Sequence, residues 1–190
     1  MSITSKTMGV VMRASALLIA TVLLFSPEGW AQDERITIEG LNDPLEPSIQ
    51  IYSYRFKKPD VIYPGEWDLF LRAFYSKEEK AFTGIQVYIT TNSLDWRLWR
   101  HARYLDGGKL REVEVYEIGT GEVDCSRGYC SHYETVGFNV TEAQLRRWAQ
   151  QNEDVRIRLI SRIDSRDMRL PVEEIRVFLQ AMDHIRNSQN

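Results

Sequence analysis

The chain has 190 residues, with 24 basic and 27 acidic side chains and a formal charge of −3 at neutral pH. That balance excludes a bulk nucleic-acid binder, which needs a clearly basic domain, and the length suits one domain that buries a core without metals or many disulfides. Two cysteines and three histidines leave little material for metal or thiol chemistry.

At the N-terminus, Lys6 and Arg13 precede an apolar run from Ala14 to Phe25, and Pro27, Glu28 and Gly29 follow it. This is the layout of a secretory signal peptide, with the small residues Gly29 and Ala31 at the −3 and −1 positions of a cleavage site. Residues 1–31 are expected to be removed, leaving residues 32–190 as a single β-rich domain with a C-terminal helix. A membrane span needs roughly 20 apolar residues, more than this run supplies, so no stable membrane insertion is expected after cleavage. The product belongs in a bacterial periplasm or in the medium. Loss of Lys6, Arg13 and Glu28 makes the chain one charge more negative.

The next segments read as strands. Ile36 to Glu39 forms a short first one, and Pro44 and Pro47 break the chain before Ser48 to Phe56, which carries Ile49 and Ile51 on one face. Glu66 to Tyr75 alternates Trp67, Leu69, Leu71 and Ala73 with polar positions, which turns Glu66 and Asp68 toward water. Gly84 to Thr91 places Ile85, Val87 and Ile89 inward. Trp96 to Leu105 and Leu110 to Ile118 follow, joined by the turn sequence Asp106-Gly107-Gly108, and Tyr133 to Val140 continues the pattern.

The last third changes period. Thr141 stands three residues before Gln144, a capping pattern, and Leu145, Trp148 and Ala149 then fall at helical spacing. Val155 to Ile163 returns to alternation, with Arg156, Arg158 and Arg162 opposite Val155, Ile157 and Leu159. Pro171 opens a second helix, whose Val172, Ile175, Phe178, Met182 and Ile185 form one apolar stripe. That stripe needs a sheet to cover. The fold class is therefore α+β and mainly β, an antiparallel sheet or sandwich of about seven or eight strands with two late helices, the C-terminal one packing on a sheet face.

Cys125 and Cys130 enclose a short loop, and in an oxidising compartment they are expected to form a disulfide across a hairpin tip. His132 adds a third soft group, but a closed zinc site needs four and this spacing matches no common one. No nucleophile elbow, zinc-protease helix or phosphate loop occurs in the sequence, so no catalytic residue, metal or cofactor is assigned.

The most suggestive stretch runs from Trp96 to Tyr104. Strict alternation would set Arg97, Trp99, His101 and Arg103 on one face, a mixture of cations and an indole suited to an anionic or sugar-like ligand. The competing account pairs these arginines across the hairpin with Glu112, Glu114 and Glu117. Arg156, Arg158 and Arg162 would enlarge the patch if their strand lay alongside. The function expected from these features is a non-catalytic periplasmic or secreted module that binds an envelope protein or an anionic glycan. The alternative is a small hydrolase of a cell-envelope polymer with its site between segments 97–103 and 124–134.

Overall fold

The computed structural model describes residues 35–53, 64–119, 121–126 and 128–189. The expected leader over 1–31 and the far end of the second expected strand lie outside the described residues. Alternation builds the first sheet. Strands β1 (Ile36–Glu39), β2 (Ser48–Ser53), β3 (Trp67–Ser76) and β4 (Ala81–Ser93) run antiparallel, and their registers bring Ile49, Ile51, Leu71, Val87 and Ile89 onto one fully buried face.

The chain then leaves this sheet for β5 (His101–Asp106) and β6 (Lys109–Glu114), and returns through β7 (Tyr116–Glu117), β8 (Glu122–Asp124) and β9 (Ser131–Asn139). Gly107 and Gly108, with φ of 57° and 77°, make the two-residue turn of the β5–β6 hairpin, since a turn with both central residues at positive φ matches the strand twist. The seven-stranded sheet has the order β1-β2-β3-β4-β9-β7, with β8 also on β9. With β10 (Val155–Ile160) and β11 (Ser165–Leu170), the second sheet has the order β11-β10-β5-β6.

Helix α1 (Glu142–Ala149) starts where expected, the Thr141 hydroxyl accepting the Gln144 amide at 3.1 Å. Helix α2 (Val172–Ser188) begins just after Pro171, which offers no side-chain acceptor; the Asp154 carboxylate takes the Val172 amide instead, at 3.2 Å. The apolar stripe of α2 lies on the buried face of the first sheet, with Ile175, Phe178, Met182 and Ile185 fully covered, each burial contributing about 1.5–3 kcal/mol. Arg146 and Arg186 bridge Glu142 and Asp183 in a four-member ion network that ties α1 to α2. The inner side of the second sheet joins the same core: Tyr104 stacks on Phe138 at 5.5 Å and meets Trp148 edge-on at 5.3 Å.

Several sequence expectations are corrected, among them the single strand Leu110 to Ile118, which is split into β6 and β7 of different sheets. β5 begins at His101 and not at Trp96, β10 stops at Ile160 and leaves Arg162 in a turn, and β8 and β11 are additional strands. Asp68, expected to face water, has no exposed surface. Alternation marks a wet face only where one side of a strand is open, and here the neighbouring Leu69, Phe70 and Thr90 are all buried as well.

Asp68 lies near a second buried carboxyl, that of Glu174 in the first turn of α2. The Ser53 hydroxyl donates to Glu174 Oε1 and accepts the Leu71 amide at 2.8 Å, locking helix to sheet. Burial pushes the Glu174 carboxyl up to about 7 from an ordinary 4.5; the Ser53 hydrogen bond opposes the rise, Asp68 adds to it and Arg35 opposes it. The folded state thus holds a proton that the unfolded chain has released. This contribution to stability is complete below about 4.5 and is lost as the pH climbs through about 7, by at most about 3 kcal/mol. Glu174→Gln keeps an acceptor for Ser53 without the charge, so it should match the wild type in acid and exceed it near pH 8. Urea denaturation at both pH values checks this; an equal difference at the two would show that Glu174 is not the titrating group.

Candidate functional site

The connection from β4 to β5, residues 94–100, decides which side chains reach the surface. Glu134 of β9 is buried, and its two carboxylate oxygens accept the amides of Arg97 and Leu98, each at 2.6 Å. Leu98 is held at φ 55°, in the left-handed region that non-glycine residues rarely enter. This reversal inverts the inward and outward positions of residues 96–99. Trp99 turns inward, 6% exposed, and its indole Nε1 donates to Thr91 Oγ1 at 2.9 Å with the Arg166 guanidinium 6.0 Å from the ring. Trp96 and Leu98, on the opposite side of the alternation from Trp99, are 37% and 64% exposed. Trp96 meets His132 edge-on at 4.9 Å and lies so close over Gly121 that a Cβ there would sit 2.3 Å from the ring.

The expected face of Arg97, Trp99, His101 and Arg103 is therefore not formed as one surface. Arg97 lies in the connection and pairs with Asp164 at 3.5 Å, and Trp99 is a core residue. His101 and Arg103 do share the outer face of β5, where alternation resumes with Ala102 and Tyr104 inside.

Register builds a different surface around Arg103. Its neighbours are Glu112 on β6 and Arg158 on β10, and Arg158 in turn faces Asp167 on β11. In the adjacent row Leu105 faces Leu110 and Arg156 faces Arg169. A groove of about 300 Å³ is lined by Arg103, Tyr104, Leu105, Leu110, Arg156 and Arg158. Leu105 and Leu110, 57% and 67% exposed, give it an apolar side. Arg156 and Arg158 thus lie beside the first hairpin as the patch requires, whereas Arg162 does not join them.

The cations are matched by acids. Arg103 Nε bonds Glu112, whose carboxyl is held below its ordinary range chiefly by that hydrogen bond, and His101 Nδ1 stands 3.9 Å from the same carboxylate. Arg158 grips Asp167 through two bonds of 2.6 and 2.9 Å, and Arg156 bonds it too. Two guanidinium groups on one carboxylate hold Asp167 well below the usual carboxylate range and leave one positive charge unmatched there. Glu114 lies opposite His101, and Glu117 belongs to the other sheet. Asp167 and Arg169 escaped sequence reasoning because β11, with three charged residues among six, shows only the weak signal of Met168 and Leu170 alternating.

Cys125 and Cys130 form a disulfide, with Cα atoms 4.0 Å apart, between β8 and β9. With both sulfurs bonded, neither can ligate a metal alongside His132. Among the described residues no group of three or more His, Cys, Asp or Glu could hold a metal ion, and no helix is long and apolar enough to cross a membrane. Segments 97–103 and 124–134 meet through Glu134, and the preceding Trp96 packs against His132, contacts that fasten the connection. Comparison with protein-family models, curated proteins and solved structures finds no match to this chain, so the reading of the surface rests on its own residues.

The burial of Trp99 has a direct consequence. Trp99→Ala should destabilise the protein by about 3–5 kcal/mol, as expected for a large core aromatic, while Trp96→Ala costs much less. Chemical denaturation of the two variants measures the contrast, and equal losses would contradict the inverted phase of this connection.

Proposed function

We propose that this chain is an exported, non-catalytic binding module, periplasmic or secreted, that meets an anionic envelope component through the outer face of its four-stranded sheet. The observation that carries the reading is the β5–β10 register, which sets Arg103 beside Arg158 and gathers three arginines around a groove with two exposed leucines. Arginine suits this role because its planar fork holds carboxylate, sulfate or phosphate oxygens in pairs while its stem lies on apolar surface. The disulfide and the leader-like N-terminal run support export, since such bonds persist outside the reducing cytoplasm.

An anionic glycan is the ligand chemistry favoured here. It offers repeated carboxylates that can displace Glu112 and Asp167 from exposed pairs, which are individually worth only about 0–1 kcal/mol. Protein recovered after export of the full chain should begin at Gln32, which N-terminal sequencing determines. It should bind polygalacturonate at low ionic strength and lose that affinity steeply as salt rises past the point where the screening length falls below about 10 Å. The double variant Arg103→Ala, Arg158→Ala should weaken binding about tenfold, the equivalent of two partly exposed charge contacts. Calorimetric titration reads both effects. Binding that ignores salt, or a double variant as tight as the wild type, refutes the reading.

A further inference from the structure

The groove ends at a strand edge, and that edge is open. β6 is the terminal strand of its sheet, six residues without proline or bulge, paired to β5 in unbroken register from Lys109 to Glu114. The Val115 amide bonds the Arg100 carbonyl at 2.9 Å, which fixes the phase of the ladder. In an antiparallel pair hydrogen-bonded and non-bonded positions alternate, so Val113, Arg111 and Lys109 bond inward to β5. The backbone groups of Leu110, Glu112 and Glu114 consequently point outward, where no other strand of the described residues pairs with them.

The other edges are short or covered. β1 has four residues and lies under α2, β7 and β8 have two and three, and β11 packs toward β3, with Arg166 reaching the Glu66 carbonyl. We propose that β6 is a docking edge to which an extended segment of a partner protein adds as a further strand, presenting an apolar side chain to Leu110 and cations to Glu112 and Glu114. This rests on the binding-module reading and specifies a protein partner for the same sheet.

Charge decides the occupant. Strands that meet edge to edge must oppose outward-bonding residues to one another, which restricts self-pairing of β6 to a few antiparallel registers. Centring the pair on Leu110 sets Lys109 against Arg111 of the second copy; centring on Arg111 sets it against itself. Centring on Glu112 opposes two glutamates, and centring on Val113 opposes Glu112 to Glu114. Like charges directly opposite destabilise a pair, so every one of these registers is penalised and a second copy is a poor occupant. A strand of complementary pattern meets no such penalty. Leu110 and Leu105, both largely exposed and side by side, give it an apolar anchor, and the fixed order of charges supplies specificity.

The test uses two synthetic peptides with the full exported protein. One alternates lysine, threonine, lysine, glutamate, valine, glutamate, which opposes charges to β6 when antiparallel; the other swaps every charge. Amide NMR should show the first peptide perturbing Leu110, Glu112 and Glu114 more than the inward Arg111 and Val113. The charge-swapped peptide should bind about tenfold more weakly or not at all, from the summed change over four cross-strand pairs. Glu114→Pro, which removes an outward donor and leaves the inward ladder intact, should also abolish the perturbation. Equal binding of the two peptides, or no perturbation by either, overturns the proposal; because both peptides meet the unaltered protein, that result holds whether or not the proline variant folds. Polygalacturonate titrated on the same sample separates the two ideas, since glycan binding without peptide binding removes only the docking edge.

Discussion

One buried carboxylate governs how the two sheets of this protein are joined. The chain crosses from the seven-stranded sheet to the four-stranded one through residues 94–100, and Glu134 receives two successive amides there, those of Arg97 and Leu98. Carboxyl oxygens removed from water are costly unless they are met by donors, and two short backbone bonds answer that need. The backbone meets Glu134 with a left-handed turn at Leu98, which leaves Leu98 outside and puts Trp99 in the core; from His101 onward alternation resumes in the phase that the sequence pattern implies. Ala102 and Tyr104 enter the core, and His101 and Arg103 reach the outer face.

This dependence explains which parts of the fold the sequence makes legible. The helices are readable because their signals are local: the Thr141 cap, the position of Pro171 and a stripe that recurs every three or four residues. β1 through β4 are readable because one side of their sheet is apolar for its full width, and the disulfide because only two cysteines exist. The phase of Trp96–Trp99 is not readable, since Glu134 lies 36 residues from Leu98 and no local pattern announces the contact, whereas that of His101–Tyr104 is as alternation implies. Continuous alternation through Trp96, Leu98 and Trp99 looks stronger than the truth because the large apolar residues on both sides of Leu98 fit either phase. Asp68 fails for a related reason. A strand covered on both faces offers no wet side for a polar residue to mark.

The arginines illustrate why neither of the opposed sequence accounts stands alone. Cross-strand pairing with acids does occur, through Glu112 and Asp167, and the basic strands do lie side by side. Both follow from one geometric fact, since an antiparallel sheet with alternating charge must bring unlike and like neighbours together in the same row. The row from Glu112 through Arg103 and Arg158 to Asp167 has acids at its ends and cations in its middle. Its ends are already matched. The centre, where two guanidinium groups are adjacent across strands, is where a further anion lowers repulsion as well as gaining attraction, and this is the part of the face that borders Leu105.

The same sheet has an unusual economy of motion at its edge. β6 is tied to β5 by the glycine hairpin at one end and by the Val115–Arg100 bond at the other, and directly beyond Val115 the chain enters β7 and pairs with β9 in the opposite sheet. An edge strand fastened at both ends has little conformational freedom left to lose when another chain lies against it, which removes much of the ordering cost that usually weakens association. Four of its six side chains are charged, the device by which proteins ordinarily keep edges from sticking. Here the bonding phase does more than repel: because Lys109, Arg111 and Val113 already bond β5, the antiparallel registers open to a second copy oppose like charges, whereas a free strand whose phase is not fixed can oppose unlike charges throughout. Specificity of this kind needs no pocket, only a fixed register, and the register is fixed by the hydrogen bonds that begin at Arg100.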